Sequence, residues 1–325
     1  MSSTAVSQQG IFQSGLVRRL ARWLDAMPHP PVAIEIAADR IAVARWNRAG
    51  SLDAFAVEEL PFEGIIPSAV EVNLANSAAV KAALAKACDR VDARQEDVAL
   101  LVPDPVIRVF VQHFEDFPRS RDEAIPLLRW KLKKSVPFEA DETILSYFRQ
   151  PARDAGVDIV TALARQRVIR EYESLVEGLS LFPGVVLSSS LAAIALLGDD
   201  KAMLLARVSG SALTTVIARS GVLCAYRCTE LPGHGATLTP EALLEEIFPV
   251  AAYYQDTWQE GICSVHLAGL GDRLADFARP LEEEFHCQVR SLLASAQSDG
   301  RIKEDARQLA DRDLEGLVGW MLHRA

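Results

Sequence analysis

Residues able to ligate a metal or act as nucleophiles are few in this chain, and they are scattered. Cys263 and His266, with His286 and Cys287 further on, could offer sulfur and imidazole nitrogen to a zinc ion. Positions 263 and 266 fall on a predicted strand, however, where an odd separation sends side chains to opposite faces and the set does not converge. Cys224 and Cys228 share a strand face but stand too far apart to bridge, and are expected as core thiols. His234, between Gly233 and Gly235, has no carboxylate or serine beside it to complete a nucleophile–base pair. No Gly-x4-Gly-Lys-Ser/Thr, Gly-x-Ser-x-Gly or His-Glu-x2-His pattern occurs. These residues predict neither a metal centre nor a catalytic one.

Charge offers more. Arg119, Arg121, Arg129, Lys131, Lys133 and Lys134 cluster in a chain whose net charge is −10. Ile125, Leu128 and Leu132 recur at helical spacing, so the cations load the end of a predicted helix and complement its carbonyl terminus. Trp130 lies off that stripe and is expected to be exposed. Two readings stand for the cluster: a solvated helix face, or a docking surface for an acidic partner or membrane headgroups. Pro137 stops the helix, and Ile144 to Phe148 reads as the next strand.

An acidic chain of 325 residues is a poor match for nucleic acid, because phosphate binding needs a basic field. Five cysteines with no regular framework suggest free thiols in a reducing compartment. No apolar run reaches the roughly 18 residues of a membrane span, and the N-terminus lacks a signal-peptide pattern. A cytoplasmic protein is expected. Residues 1–31 form a tail in which Leu16, Val17, Leu20, Trp23 and Leu24 share one helical face with Arg18, Arg19 and Arg22 around it. Residues 16–24 are read as either a terminal helix on its own domain or a peripheral membrane contact.

From Val32 the chain alternates as strand, turn, strand, turn, strand to Glu59, then a helix over Ala78–Cys88 and a buried strand over Val98–Val102. Ala202 to Cys228 repeats the three-strand pattern, followed by a helix over Thr239–Trp258, a strand over Ile262–Ala268 and a helix over Arg273–Phe285. Gln297 to Asp305 is expected as a polar linker, and Ala306 to Leu322 as a single closing helix. Between the two halves lies the order βαββαβ. Duplication is the main organisational signal.

Four segments, taken in order, carry a family resemblance. They are Trp130-Lys-Leu-Lys-Lys-Ser-Val-Pro-Phe138 with the strand after it; Val57-Glu-Glu-Leu-Pro61 with Gly64-Ile-Ile-Pro67; Ala162-Leu-Ala-Arg165 with Tyr172-Glu-Ser-Leu175; and Val265-His-Leu-Ala-Gly-Leu-Gly271 with Arg273-Leu274. From about Val32 onward the chain resembles the PilM family of type IV pilus assembly proteins, relatives of actin. The resemblance implies an α/β, actin-like fold with ribonuclease H-like duplicated lobes. Lobe one would span 32–105, an inserted βαββαβ subdomain 106–187, a returning helix 188–200, and a reduced lobe two 201–325. It further implies a cytoplasmic scaffold at the inner membrane that binds the N-terminal tail of a PilN-type protein, with other pilus assembly components, in a groove between lobe one and the insert. Arg129, Trp130, Lys133, Lys134, Pro137 and Phe138 are the partner-binding residues expected from the opening motif.

The nucleotide positions depart from the family pattern. Its first phosphate turn is Asp-x-Gly/Ser-Ser, and here the turn is Glu35-Ile-Ala-Ala-Asp39, with Ala42 where a lysine would lie. Arg207 stands where the second turn has an aspartate that organises magnesium, and is expected to face a phosphate or Asp39 across the cleft. Ser209, Gly210, Ser211, Gly269 and Gly271 would be the vestigial nucleotide contacts. The stretch from Leu231 to Leu238 leads directly to one helix where the family has several. No ATP, magnesium or other cofactor is expected. The alternatives are an active actin-like ATPase, a sugar-kinase-like enzyme, or a GspL-like scaffold of type II secretion.

Overall fold

Val32-Ala-Ile-Glu-Ile36 carries one polar side chain in five and is buried along its length as strand β1. Such a run suits a strand covered on both faces, and β1 lies in the middle of its sheet. The computed structural model describes residues 29–47, 49–139, 142–198, 201–231, 233 and 235–322, so the 16–24 segment and His234 fall outside the described residues. β2 (Arg40–Trp46) and β3 (Leu52–Glu59) continue as an antiparallel meander. Helix α1 (Ser77–Arg90), N-capped by the Asn76 side chain, leads to β4 (Asp97–Val102), which runs parallel to β1.

The insert follows as β5 (Arg108–Phe114), α2 (Arg121–Leu132), β6 (Thr143–Pro151) and β7 (Val157–Arg165). Its antiparallel sheet has the order β5-β7-β6. A small separate core of Phe114, Phe117, Leu128, Leu145, Ile159 and Leu163 holds α2 against it.

Next come α3 (Gln166–Glu177) and β8 (Phe182–Ser188), which complete the expected βαββαβ order but do not belong to the insert's sheet. β8 pairs in parallel with β4 and closes the first sheet as β3-β2-β1-β4-β8. The buried face of α3, including Ile169, Tyr172 and Leu175, joins the core of lobe one. A parallel pair needs a helical crossover, and α3 supplies it.

The returning helix is shorter than expected: α4 (Ser189–Ala193) tightens into a 3-10 turn over Ile194–Leu196. Lobe two repeats lobe one with β9 (Met203–Ser209), β10 (Ala212–Arg219), β11 (Val222–Glu230), α5 (Pro240–Trp258), β12 (Ser264–Ala268), α6 (Leu274–Phe285) and β13 (Gln288–Ser291). Its sheet order, β11-β10-β9-β12-β13, matches that of the first sheet strand for strand.

The polar linker contains α7 (Leu292–Ser298), and the single closing helix is broken into α8 (Arg307–Ala310) and α9 (Glu315–Leu322). Asp313, at a φ of 52°, redirects the chain between them. The break places Glu315 at the start of a helix buried between the lobes. Leu205, Val216, Leu223 and Trp320 share one hydrophobic core with Val32, Ile34 and Leu100, so the lobes are packed together.

Candidate functional site

The two duplicated hairpins, β1–β2 and β9–β10, present their turns to a common cleft. A cavity of about 330 Å³ there is lined by Asp39 and Arg40 from the first turn and by Ser209 and Gly210 from the second, with Gly269, Gly271 and Arg273 alongside. Four of the five expected nucleotide contacts are thus brought together. Ser211 borders a neighbouring cavity with Phe62 and Ile66 instead. Gly269, at a φ of 73°, has no space for a side chain, because a Cβ would lie 1.8 Å from the Val208 carbonyl oxygen. The loop after β12 therefore rests directly on β9.

At the floor of the cleft Arg207 is buried and does not reach toward Asp39. Its guanidinium meets three buried carboxylates, with Nη2 at 3.0 Å from Glu35, Nη1 at 3.4 Å from Asp104 and Nε at 3.5 Å from Glu315. Each acid is held from a different element. The Leu317 amide donates to Glu35 at 3.2 Å. Asp104, in the 3-10 turn after β4, accepts from the Ser190 amide at 2.8 Å and the Thr214 hydroxyl at 2.9 Å. Gly316 admits Glu35 against the first turn of α9, where a Cβ would fall 2.6 Å from the carboxylate. Burial pushes the Glu315 carboxyl above its ordinary range against the pull of Arg207, and the Glu35 charge adds to the rise. Asp104 and Glu315 were not anticipated from sequence, since neither lies in a motif.

A second cavity, of about 340 Å³, lies between the insert and lobe one. Ile144 and Ser146 of β6, with Ala162 and Ala164 of β7, form its floor, and Ile169 and Glu173 of α3 form one wall. Pro183 to Val186 of β8 form the other. β6 and β8 are each the outermost strand of their sheets. Pro183 lacks an N–H and suits an edge position. Register shifts between Val98 and Ala99 so that Gly184 is left over in β8, a bulge facing the groove. The lining is small and apolar, with Glu173 the one ionisable side chain among the described lining residues.

The six residues expected to bind a partner do not converge on this groove. Arg129 donates to the Thr143 carbonyl at 3.0 Å. Lys131 donates to the His113 carbonyl at 3.3 Å and sits over the Phe114 ring at 3.8 Å. Lys133 lies 4.0 Å from Glu139. Lys134 and Pro137 line another cavity, against Tyr226 and Arg227 of β11. Phe138 packs on the insert's own core, and Trp130 is 76% exposed. From the opening motif it is the following strand, through Ile144, that reaches the groove.

The remaining candidates are dispersed. His266 is buried on β12, its Nε2 3.1 Å from the Ser264 hydroxyl, whereas Cys263 is exposed before the strand begins. Burial pushes the Cys224 and Cys228 thiols up to about 12, consistent with core thiols. Among the described residues no helix is long and apolar enough to cross a membrane.

Two duplicated five-stranded sheets enclosing a cleft between their hairpin turns define the actin-like fold, and the chain has that fold. No protein-family model and no curated protein matches its sequence. Among solved structures it is similar to a PilM–PilN type IV pilus biogenesis complex, at 18% identity and a TM-score of 0.67, over 91% of this chain and 98% of that one. A Bacteroides thetaiotaomicron protein with an actin-like ATPase fold and unknown function is similar at 14% identity and a TM-score of 0.50, over 88% and 97% of the two chains.

Proposed function

We propose that this chain is a non-catalytic actin-like scaffold of type IV pilus assembly, working at the cytoplasmic face of the inner membrane. It takes the N-terminal tail of a PilN-type protein into the groove between β6–β7 and β8. The groove carries this reading. An extended tail can seat apolar side chains on Ala162, Ala164 and Val186 while its backbone bonds to an unpaired strand edge, the strand-addition mode of peptide recognition. The likeness to a structure containing a PilM–PilN pair supports it.

The cleft supports the non-catalytic half. A magnesium nucleotide is the ligand the fold class implies, and the residues present do not fit one. The carboxylates that could organise a hydrated cation already hold Arg207, and the loop at Gly269 is closed onto β9. No hydrolytic step is therefore assigned to the chain.

Fluorescence anisotropy with a labelled synthetic peptide of the PilN-type N-terminus tests the reading. Ile144 is 43% exposed, so Ile144→Asp is expected to fold normally and to weaken binding about tenfold or more, as a charge on an apolar contact would. Ser146→Arg is expected to act likewise, whereas Trp130→Ala binds as the parent does. Equal affinity in all four proteins, or loss confined to Trp130→Ala, would refute the groove assignment.

A further inference from the structure

The cleft floor has the composition of a cation site whose cation belongs to the chain. Glu35 comes from β1 of lobe one, Asp104 from the end of β4, and Glu315 from the closing α9; all three converge on a guanidinium carried by β9 of lobe two. None of the four side chains is more than 4% exposed. Removed from water, like charges this close repel strongly unless a cation sits among them. Arg207 is that cation, and it is attached to the opposite lobe. Further contacts cross the same boundary: Thr214 of β10 donates to Asp104 at 2.9 Å, and the Ser188 and Tyr226 hydroxyls meet at 3.1 Å.

We propose that Arg207 is a resident cation that holds the two lobes closed, so that closure of this chain needs neither nucleotide nor divalent metal. The consequence reaches the groove. Asp104 also accepts from the Ser190 amide, two residues beyond the end of β8, so the same cluster fixes the strand that walls the peptide site. A scaffold built this way presents one groove geometry permanently, where a nucleotide-gated relative would present two.

Small-angle scattering and thermal melting of the full chain test this, with Arg207→Met and Arg207→Ala beside the parent. The parent is expected to keep its radius of gyration and melting temperature after EDTA treatment and after addition of magnesium ATP. Arg207→Met leaves three buried carboxylates without a counter-charge and is expected to melt about 5–10 °C lower, with a larger radius of gyration. In Arg207→Ala, manganese ions are expected to recover part of the lost melting temperature, with no effect on the parent. Parent chain that contracts on adding magnesium ATP would overturn the proposal whether or not the variants fold. So would an Arg207→Met chain with parental radius and melting temperature, or manganese that leaves Arg207→Ala unchanged.

Discussion

Glu35 and Arg207 sit on matching central strands of the two duplicated sheets, and their side chains meet at 3.0 Å between Oε1 and Nη2. The pseudo-symmetry that creates the cleft thus sets opposite charges at its floor. A duplicated fold whose two hairpins both carried acids there would need an external cation.

Removing one partner of a buried pair costs more than the pair contributes, because the other charge stays buried. Glu35→Ala is accordingly expected to lose about 3–5 kcal/mol of unfolding free energy in urea at neutral pH. Glu35→Gln keeps an acceptor for the Leu317 amide, bonded at 3.2 Å in the parent, and is expected to lose clearly less. Equal losses would assign the effect to the amide contact or to packing rather than to charge.

Glu315 gives a prediction of opposite sign. Its carboxyl is raised in the folded chain, chiefly by burial. For a raised acid the stabilising contribution is complete below the unfolded-state value and is lost as pH rises through the folded value. Every tenfold difference in proton affinity between the two states is worth about 1.4 kcal/mol. Glu315→Gln mimics the protonated form. It should equal the parent in acid and exceed it in stability from neutral pH upward, as read by urea midpoints across the pH range. A variant less stable than the parent at pH 8 would mean that attraction to Arg207 outweighs burial.

His266 should shape the acid limb. Burial first, then Arg301 and Arg290, push its imidazole from 6.5 down to about 4. Between those values the unfolded chain binds a proton that the folded chain refuses, so stability falls as pH drops from 6.5 toward 4. The full loss is about 3 kcal/mol. His266→Gln should flatten that part of the profile. An unchanged slope would show that other groups set the acid limb.

Much of the architecture was legible because it is local. Val32-Ala-Ile-Glu-Ile36, its turn and the alternation after it announce a meander, and Ala202 to Cys228 announces the second copy. The partner of β8 was not legible. Val185-Val186-Leu187 is a short apolar run equally suited to either sheet, and its pairing with β4 is decided by a crossover more than 70 residues long. The closing helix broke for a tertiary reason, since Glu315 had to turn back to the cleft floor. Asp104, Arg207 and Glu315 are remote in sequence, so no spacing rule could join them.

The basic motif misled in an instructive way. Arg129 and Lys131 look like a docking face in one dimension, but each donates to a backbone carbonyl of the insert. The groove was hidden for the converse reason. Ala162, Ala164 and Val186 read as core residues, and only the angle between the insert and lobe one leaves them lining a cavity.

Amide hydrogen exchange with and without the PilN-type N-terminal peptide locates the peptide's seat on the unaltered chain. Binding in the groove should bring new protection to β6 (Thr143–Pro151) and β8 (Phe182–Ser188), where an added strand would bond. The hairpin turns at Asp39 and Gly210 should exchange unchanged. Protection appearing at those turns, or on the Trp130 face of α2 with β6 and β8 unaltered, would contradict a peptide-binding groove between the insert and lobe one.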